Sequence, residues 1–351
     1  MGQPFDVVIP LYRLRWNTRA VMEGLTAHYA PRAIHIVTPE SQVKPLRQQS
    51  KIWSVAPLYV HPEEPFFEAT CGLSKDDICA ELDMGESLYT PGWFYQQLLK
   101  LGAPEGITDL SEWYLVWDSD LLPVATWPLL SQSSDSKSSD SQGSDSQGSD
   151  SQGTVEHRFA LLQNNQWGNA QIVGTWERWI QTVLGVEALT DAEGTFIPHH
   201  MWFKQEHLNS FKRQLGQYFK SDESWLLLMM RSANEFGTFS EYWAYVSWVG
   251  ETSPHDLTFY PYSQYGATTE RFFDDGTGLF SAALRNGLLP TSSRDSPSYA
   301  DVAAFIRSEY GPDALPSSLS FESSPRHLKK NSANMHIEES RSRWNPRMAD
   351  A

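Results

Sequence analysis

Asp118-Ser119-Asp120 is the segment where residue type and spacing point most directly to chemistry. Two carboxylates one residue apart at a turn can aim oxygens at a single hard divalent cation and leave coordination positions open for a diphosphate. The setting strengthens that reading. Trp113-Tyr114-Leu115-Val116-Trp117 reads as a buried strand, and Leu121-Leu122-Pro123-Val124 follows the acids. Both carboxylates therefore fall at the carboxyl end of a hydrophobic element, where open α/β sheets bind ligands. The alternative is a strand-ending turn in which Asp caps backbone N–H groups.

Several elements must position these acids. Phe5-Asp6-Val7-Val8-Ile9-Pro10 is a short apolar run of buried-strand type, and Asn17 can cap a helix from Thr18 to His28 with Val21, Met22 and Leu25 on one face. Ala33-Ile34-His35-Ile36-Val37 is a second strand stopped by Pro39, and Trp53 to Val60 reads as a third. This β-α-β spacing predicts an α/β fold with a mostly parallel, doubly wound sheet flanked by helices. Pro91 opens a helix to Leu101, in which Phe94, Leu98 and Leu101 form an apolar stripe while Trp93, Gln96, Gln97 and Lys100 share another face. One face packs, and the other is available to a ligand.

The chain has 351 residues, with 27 Lys+Arg against 43 Asp+Glu and a formal charge of -16, which argues against nucleic acid as a partner. With 40% hydrophobic and 13% aromatic residues it can bury a large core. Ser131 to Gly153 is the exception, being almost entirely Ser, Asp, Gln and Gly with a tandem Ser-Asp-Ser-Gln-Gly repeat. It reads as a low-complexity surface loop inserted in one domain, between residues 1–130 and 154–316, and residues 317–351 read as a flexible polar tail.

The longest run resembling a transmembrane segment is Trp225 to Met230, far short of the roughly 20 residues a helical span needs. The N-terminus carries no charged flank or small-residue cleavage site, and Cys71 and Cys79 form neither a metal-ligand repeat nor a disulfide framework. A reducing, cytoplasmic setting is the expectation. There is no phosphate loop, no Gly-x-Gly-x-x-Gly fingerprint, no Gly-x-Ser-x-Gly elbow and no His-Glu-x-x-His helix.

The Val-Val-Ile-Pro-Leu strand, the Ile-His-Ile-Val-Thr-Pro strand and Trp-Tyr-Leu-Val-Trp-Asp-Ser-Asp together resemble a glycosyltransferase domain of GT-A type. Gly92-Trp93-Phe94-Tyr95-Gln96-Gln97-Leu98-Leu99-Lys100-Leu101, Pro198-His199-His200-Met201 and Ser240-Glu241-Tyr242 more closely resemble a poorly characterised family of unknown function grouped with those transferases. The resemblance covers roughly residues 5 to 280. It implies a nucleotide-sugar donor, a UDP-sugar first among them, whose diphosphate sits on Mn²⁺ or Mg²⁺. Asp118 would lie towards the ribose or metal, Asp120 would ligate the metal, and His199 or His200 would add a ligand, with His255 a poorer choice.

On that reading Lys100 reaches diphosphate oxygens, Gln96 and Gln97 donate to phosphate or sugar hydroxyls, and Trp93 stacks on a sugar or base. The alternatives are a solvated helix face and a packed aromatic. In an inverting enzyme Glu241 would deprotonate the acceptor hydroxyl, although a first-turn carboxylate is also favoured by the helix dipole alone. Asp274 and Asp275 are rivals for the role, or a turn. The expected activity is metal-dependent hexosyl transfer to a glycan, lipid or protein. A catalytically silent carbohydrate- or nucleotide-binding module is the alternative, followed by a nucleotidyl or phosphoryl transferase using the same acids.

Overall fold

The computed structural model describes residues 4–82, 90–126, 129–132, 156–161, 163–164, 170–191, 194–260, 269–272, 283, 285–287, 296–310 and 318–321. The first half runs β1 (Asp6–Pro10), α1 (Thr18–Tyr29), β2 (Ala33–Thr38), α2 (Glu40–Gln49), β3 (Leu58–Pro62), α3 (Glu68–Cys71), α4 (Lys75–Ala80), α5 (Pro91–Leu101), α6 (Ala103–Gly106), β4 (Trp113–Trp117), β5 (Leu121–Pro123) and β6 (Leu130–Gln132). The second half continues β7 (Glu156–Leu161), β8 (Gln163–Asn164), α7 (Ala170–Trp179), β9 (Gly194–Thr195), β10 (His200–Lys204), α8 (Gln205–Phe219), α9 (Trp225–Phe236), α10 (Glu241–Thr252), β11 (Leu257–Tyr260), β12 (Thr269–Phe272), α11 (Tyr299–Tyr310) and β13 (Ser318–Phe321).

Five strands form the central sheet in the order β10-β4-β1-β2-β3. β1 lies parallel to both β2 and β4, β2 is parallel to β3, and β10 is antiparallel to β4. The expected α/β fold with a mostly parallel sheet is the one present. Side chains alternate across each strand, so a period of two sorts the core into two layers. Val8, Tyr114, Val116, Met201 and Phe203 face the layer that holds α5 and α10. Val7, Ile9, Leu115, Trp117 and Trp202 face the opposite layer, with α1 and α11. Position 118 continues the 114–116 parity, so Asp118 emerges on the α5 and α10 side.

Helix α5 is built to hold that position. Thr90 caps it by accepting from the Trp93 N–H at 3.3 Å, and Pro91 occupies the first turn, where its missing N–H costs nothing. Near the other end the Tyr114 hydroxyl donates to the Lys100 carbonyl at 3.1 Å. The C-terminal turn of α5 thus sits beside the start of β4, and the helix runs back over the strand. Helical side chains lean towards the N-terminus, which carries Lys100 to the carboxyl end of β4. Helix α10 begins at Ser240, whose Oγ accepts from the Trp243 N–H at 3.4 Å. It is pinned to β10 where the Lys204 N–H donates to the Tyr245 hydroxyl at 2.8 Å.

Several boundaries differ from the sequence reading. The third strand spans Leu58–Pro62 rather than Trp53 to Val60, because Ser50–Ile52 closes a tight helical turn and Trp53 is buried from a loop. Asn17 occupies the cap position of α1, but its side chain makes no capping bond. Ser131 and Gln132, at the head of the repeat, belong to β6, which pairs antiparallel with β7, so the insert connects two paired strands. Ser318–Phe321, at the head of the proposed tail, forms a strand between β12 and β5. The rest of the insert and tail, with Asp274 and Asp275, lies outside the described residues. Among the described residues no helix is long and apolar enough to cross a membrane.

Candidate active site

From β1 the chain progresses outward to β2 and β3, whereas β4 returns to the other side of β1. At this reversal the connections leaving β1 and β4 diverge, which in open α/β sheets is where the ligand crevice lies, outside the carboxyl ends of the two strands. The segment after β1 and Asp118-Ser119-Asp120 after β4 are its two lips. Arg15 spans them, with Nη1 3.8 Å from Asp120 Oδ2 and donating to the Phe321 carbonyl at 3.1 Å.

Asp118 is the centre of the site. Its Oδ1 lies 2.7 Å from Lys100 Nζ and accepts from the Tyr242 hydroxyl at 2.7 Å. Its Oδ2 lies 3.1 Å from His199 Nδ1. The Asp118 N–H also donates to the His199 carbonyl at 2.9 Å, so His199 meets this residue through both backbone and ring. His199 holds that pose at a φ of 61°, in the left-handed region that non-glycine residues rarely enter. Strain of this kind persists only where surrounding contacts enforce it.

Lys100 is 3% exposed and bridges two acids, lying 2.7 Å from Glu241 Oε1 as well as from Asp118. Its ammonium also lies 4.4 Å from the centre of the Tyr242 ring, a cation–π distance. Burial alone would depress the ammonium pKa, but the two carboxylates outweigh it and hold Lys100 above its ordinary value. Burial pushes Asp118 up, yet Lys100 and His199 overcome that and leave its carboxyl below the usual range. Glu241 ends the other way. Its burial and the nearby Asp118 charge outweigh Lys100 and raise it. Removing a lysine and two carboxylates from water is a poor route to stability, whereas carboxylates pushed in opposite directions at a cleft are typical of chemical sites.

The structure therefore brings together four residues singled out in the sequence: Lys100, Asp118, His199 and Glu241. Tyr242 joins them unpredicted. In the sequence it stands only beside Glu241 in the Ser240-Glu241-Tyr242 motif, and no local pattern can show that its hydroxyl reaches a strand end. Arg15 was likewise missed, since a lone Arg in a loop carries no signal.

The turn reading of Asp118 is half right. Leu121 N–H does donate to the Asp118 carbonyl at 3.0 Å, but the carboxylate goes to Lys100, Tyr242 and His199 and caps no backbone group among the described residues. His200 shares the face of Trp202, on the other side of the sheet from Asp118. Its ring stacks on Trp117 at 4.9 Å, Nδ1 meets the Pro198 carbonyl at 2.9 Å, and burial pushes its pKa down to about 3. His255 is exposed beside Asp256, 4.0 Å away.

On α5, Gln97 is buried and Gln96 and Trp93 are half-buried, Trp93 packing against the core. Two further polar groups are buried at this end of the sheet: among the described residues neither Asn17, at the start of α1, nor the Thr38 hydroxyl, at the end of β2, makes a side-chain hydrogen bond.

A divalent cation that serves a bound diphosphate needs only one or two protein carboxylates, the phosphates and water supplying the rest. Asp118 Oδ2 and Asp120 fit that demand. Among the described residues no three His, Cys, Asp or Glu side chains converge into a self-sufficient metal site, so any cation here would depend on the ligand's oxygens.

The fold and site define an α/β protein with a polar cluster at the switch point of its sheet. Residues 17–260 match the model of a family of unknown function, DUF6492, and the chain belongs to that family. No curated protein matches it. Among solved structures, mouse xyloside xylosyltransferase 1 in its apo form is 8% identical with a TM-score of 0.36, covering 91% of this chain and 97% of that one. The glycosyltransferase GlyE of Streptococcus pneumoniae TIGR4 is 7% identical with a TM-score of 0.34, covering 92% of this chain and 55% of GlyE. The chain thus spans about half the length of GlyE.

Proposed function

We propose that this protein is a glycosyltransferase of GT-A-like architecture that moves a sugar from a nucleoside-diphosphate donor, a UDP-sugar first among them, to a hydroxyl on a glycan, lipid or protein. The observation that carries the reading is the buried Lys100, bridging Asp118 and Glu241 at the crevice between β1 and β4.

Glycosyl transfer breaks the bond between the anomeric carbon and a phosphate oxygen, and the electron pair leaves with the diphosphate. A fixed cation beside that oxygen stabilises the departing charge. Lys100 supplies one, and its conversion from a partner of Glu241 to a partner of the diphosphate frees the Glu241 carboxylate. With its pKa raised by burial, Glu241 suits proton abstraction from the acceptor hydroxyl as the new bond to the anomeric carbon forms. Tyr242 and His199 hold Asp118 in place throughout. A divalent cation held by Asp118 and Asp120 would supply Lewis-acid neutralisation of the diphosphate. The amide of Asn17 offers both a donor and an acceptor, the complement of a nucleobase edge, and makes no side-chain hydrogen bond among the described residues.

One observation favours a second reading, binding without turnover: Lys100 pairs with Asp118 and Glu241 together, so both acids are engaged by the same cation in this state. A thermal-shift screen of UDP, GDP, CDP and ADP with and without Mn²⁺, followed by hydrolysis assays on the matching nucleotide sugars, separates the two. Stabilisation by one diphosphate together with slow sugar release supports transfer. Stabilisation without release supports a silent nucleotide-binding module, and no stabilisation by any diphosphate contradicts the transferase reading and leaves only a module that binds carbohydrate.

A further inference from the structure

Gln97 is 2% exposed and lies on α5 one turn before Lys100, on the same helix face. Its Nε2 donates to the Trp93 carbonyl at 3.2 Å. A carbonyl can only accept, so this bond fixes which end of the amide is which. The remaining atom, Oε1, is buried and accepts no hydrogen bond among the described residues. A buried carbonyl oxygen without a donor is costly, and each such group calls for an explanation. Its place in the fold suggests one. Because α5 runs back over β4, the turn that carries Gln97 lies nearer the carboxyl edge of the sheet than the turn that carries Lys100.

An acceptor at that point complements an O–H donor. It does not complement a phosphate oxygen, which at neutral pH also accepts. This reverses the direction expected from sequence, where Gln97 donates. We propose that Gln97 Oε1 accepts a hydrogen bond from a sugar hydroxyl of the donor whose diphosphate Lys100 engages, which makes Gln97 a specificity-determining residue. The inference rests on the reading of this crevice as a nucleotide-sugar site. The hydroxyl belongs either to the ribose or to the transferred sugar, and the ligands in the test separate these sources.

The test is calorimetric binding of UDP, 2′,3′-dideoxy-UDP and UDP-glucose, or the corresponding GDP, CDP or ADP series if one of those stabilises the protein, to the wild type and to Gln97→Met. Met has similar volume and neither polar atom. If the transferred sugar is the partner, Gln97→Met binds UDP-glucose about 5- to 10-fold more weakly and both diphosphates unchanged. If the ribose is the partner, the variant loses UDP and UDP-glucose alike and the dideoxy ligand not at all. The wild type then loses affinity for dideoxy-UDP by the same factor, a reading from the ligand side that needs no variant. The proposal is overturned if the variant binds all three as the wild type does, or if it loses UDP and dideoxy-UDP equally. If the wild type binds no nucleotide in any series, the donor-site reading itself falls, and this inference with it.

Discussion

Tyr242 donates its phenolic hydroxyl to Asp118 Oδ1 over 2.7 Å, joining the first turn of α10 to the carboxyl end of β4. Its ring at the same time faces the Lys100 ammonium at 4.4 Å. One side chain thus orients both members of an ion pair, through its edge and through its face.

Replacement of Tyr242 by Phe separates these roles, because the ring stays and the hydroxyl goes. A hydrogen bond to a charged group contributes about 1.5–3 kcal/mol, so chemical denaturation should show a loss of that order. Donor turnover should fall about 10-fold, mostly in kcat, if Asp118 must be held for the reaction. An unchanged kcat with lowered stability would make Tyr242 a structural residue alone.

Lys100→Met leaves Asp118 and Glu241 as two carboxylates buried without their cation. Breaking a buried pair in this way costs about 3–5 kcal/mol at neutral pH. The direction with pH follows from Glu241, whose pKa is already raised and which loses its main lowering influence. A carboxyl whose folded pKa lies above its unfolded value destabilises the fold while ionised and ceases to do so once protonated. The stability gap between Lys100→Met and wild type should therefore narrow from pH 7 to pH 5. A gap that stays constant across this window would contradict the assigned charge states.

A second titration lies away from the site, where His35 Nδ1 and His61 Nε2 meet at 3.0 Å between β2 and β3. Burial, with His35 and Arg47 adding to it, pushes His61 down to about 4 from an ordinary 6.5. The unfolded chain then takes up the proton first, so stability is lost as pH falls from about 6.5 towards about 4. His61→Gln should flatten that part of the stability–pH curve, measured by urea denaturation at intervals across it. An equally steep curve in the variant would assign the acid loss to other groups.

Gly102 tests the support beneath Lys100. A Cβ there would meet the Phe67 ring at 2.4 Å and the Leu98 carbonyl at 2.9 Å. Gly102→Ala should cost about 1–3 kcal/mol through overpacking and should shift α5 relative to the site. Retained stability would show that Phe67 yields without strain.

Much of this architecture could be read from residue order. Pro91 to Leu101 and Trp113 to Trp117 are bounded as expected, because a proline start and an uninterrupted apolar run are local signals. Asp118 and Lys100 stood out because polar groups at a strand end or beside an apolar stripe break the surrounding pattern, whereas His199 and Glu241 were singled out through the family resemblance. Their convergence was not legible. It depends on β10 lying antiparallel to β4, which brings His199 to Asp118, and on α10 packing beside α5, and both are long-range choices. Gln97 and Lys100 share a face that reads as solvated or ligand-binding, yet both are buried, Lys100 against Glu241 of α10. His199 and His200 looked equivalent, and only the alternation of β10 sends the second ring to the opposite layer.

The most direct test of the central claim is nucleoside diphosphate release from a panel of nucleotide sugars with Mn²⁺ present, comparing the wild type with Asp118→Asn. The account predicts release by the wild type from at least one donor, and a loss of 100-fold or more, on the order expected for removing a charged group from a reaction centre, in a variant that still folds. No release from any donor, or equal release by both proteins, would contradict it.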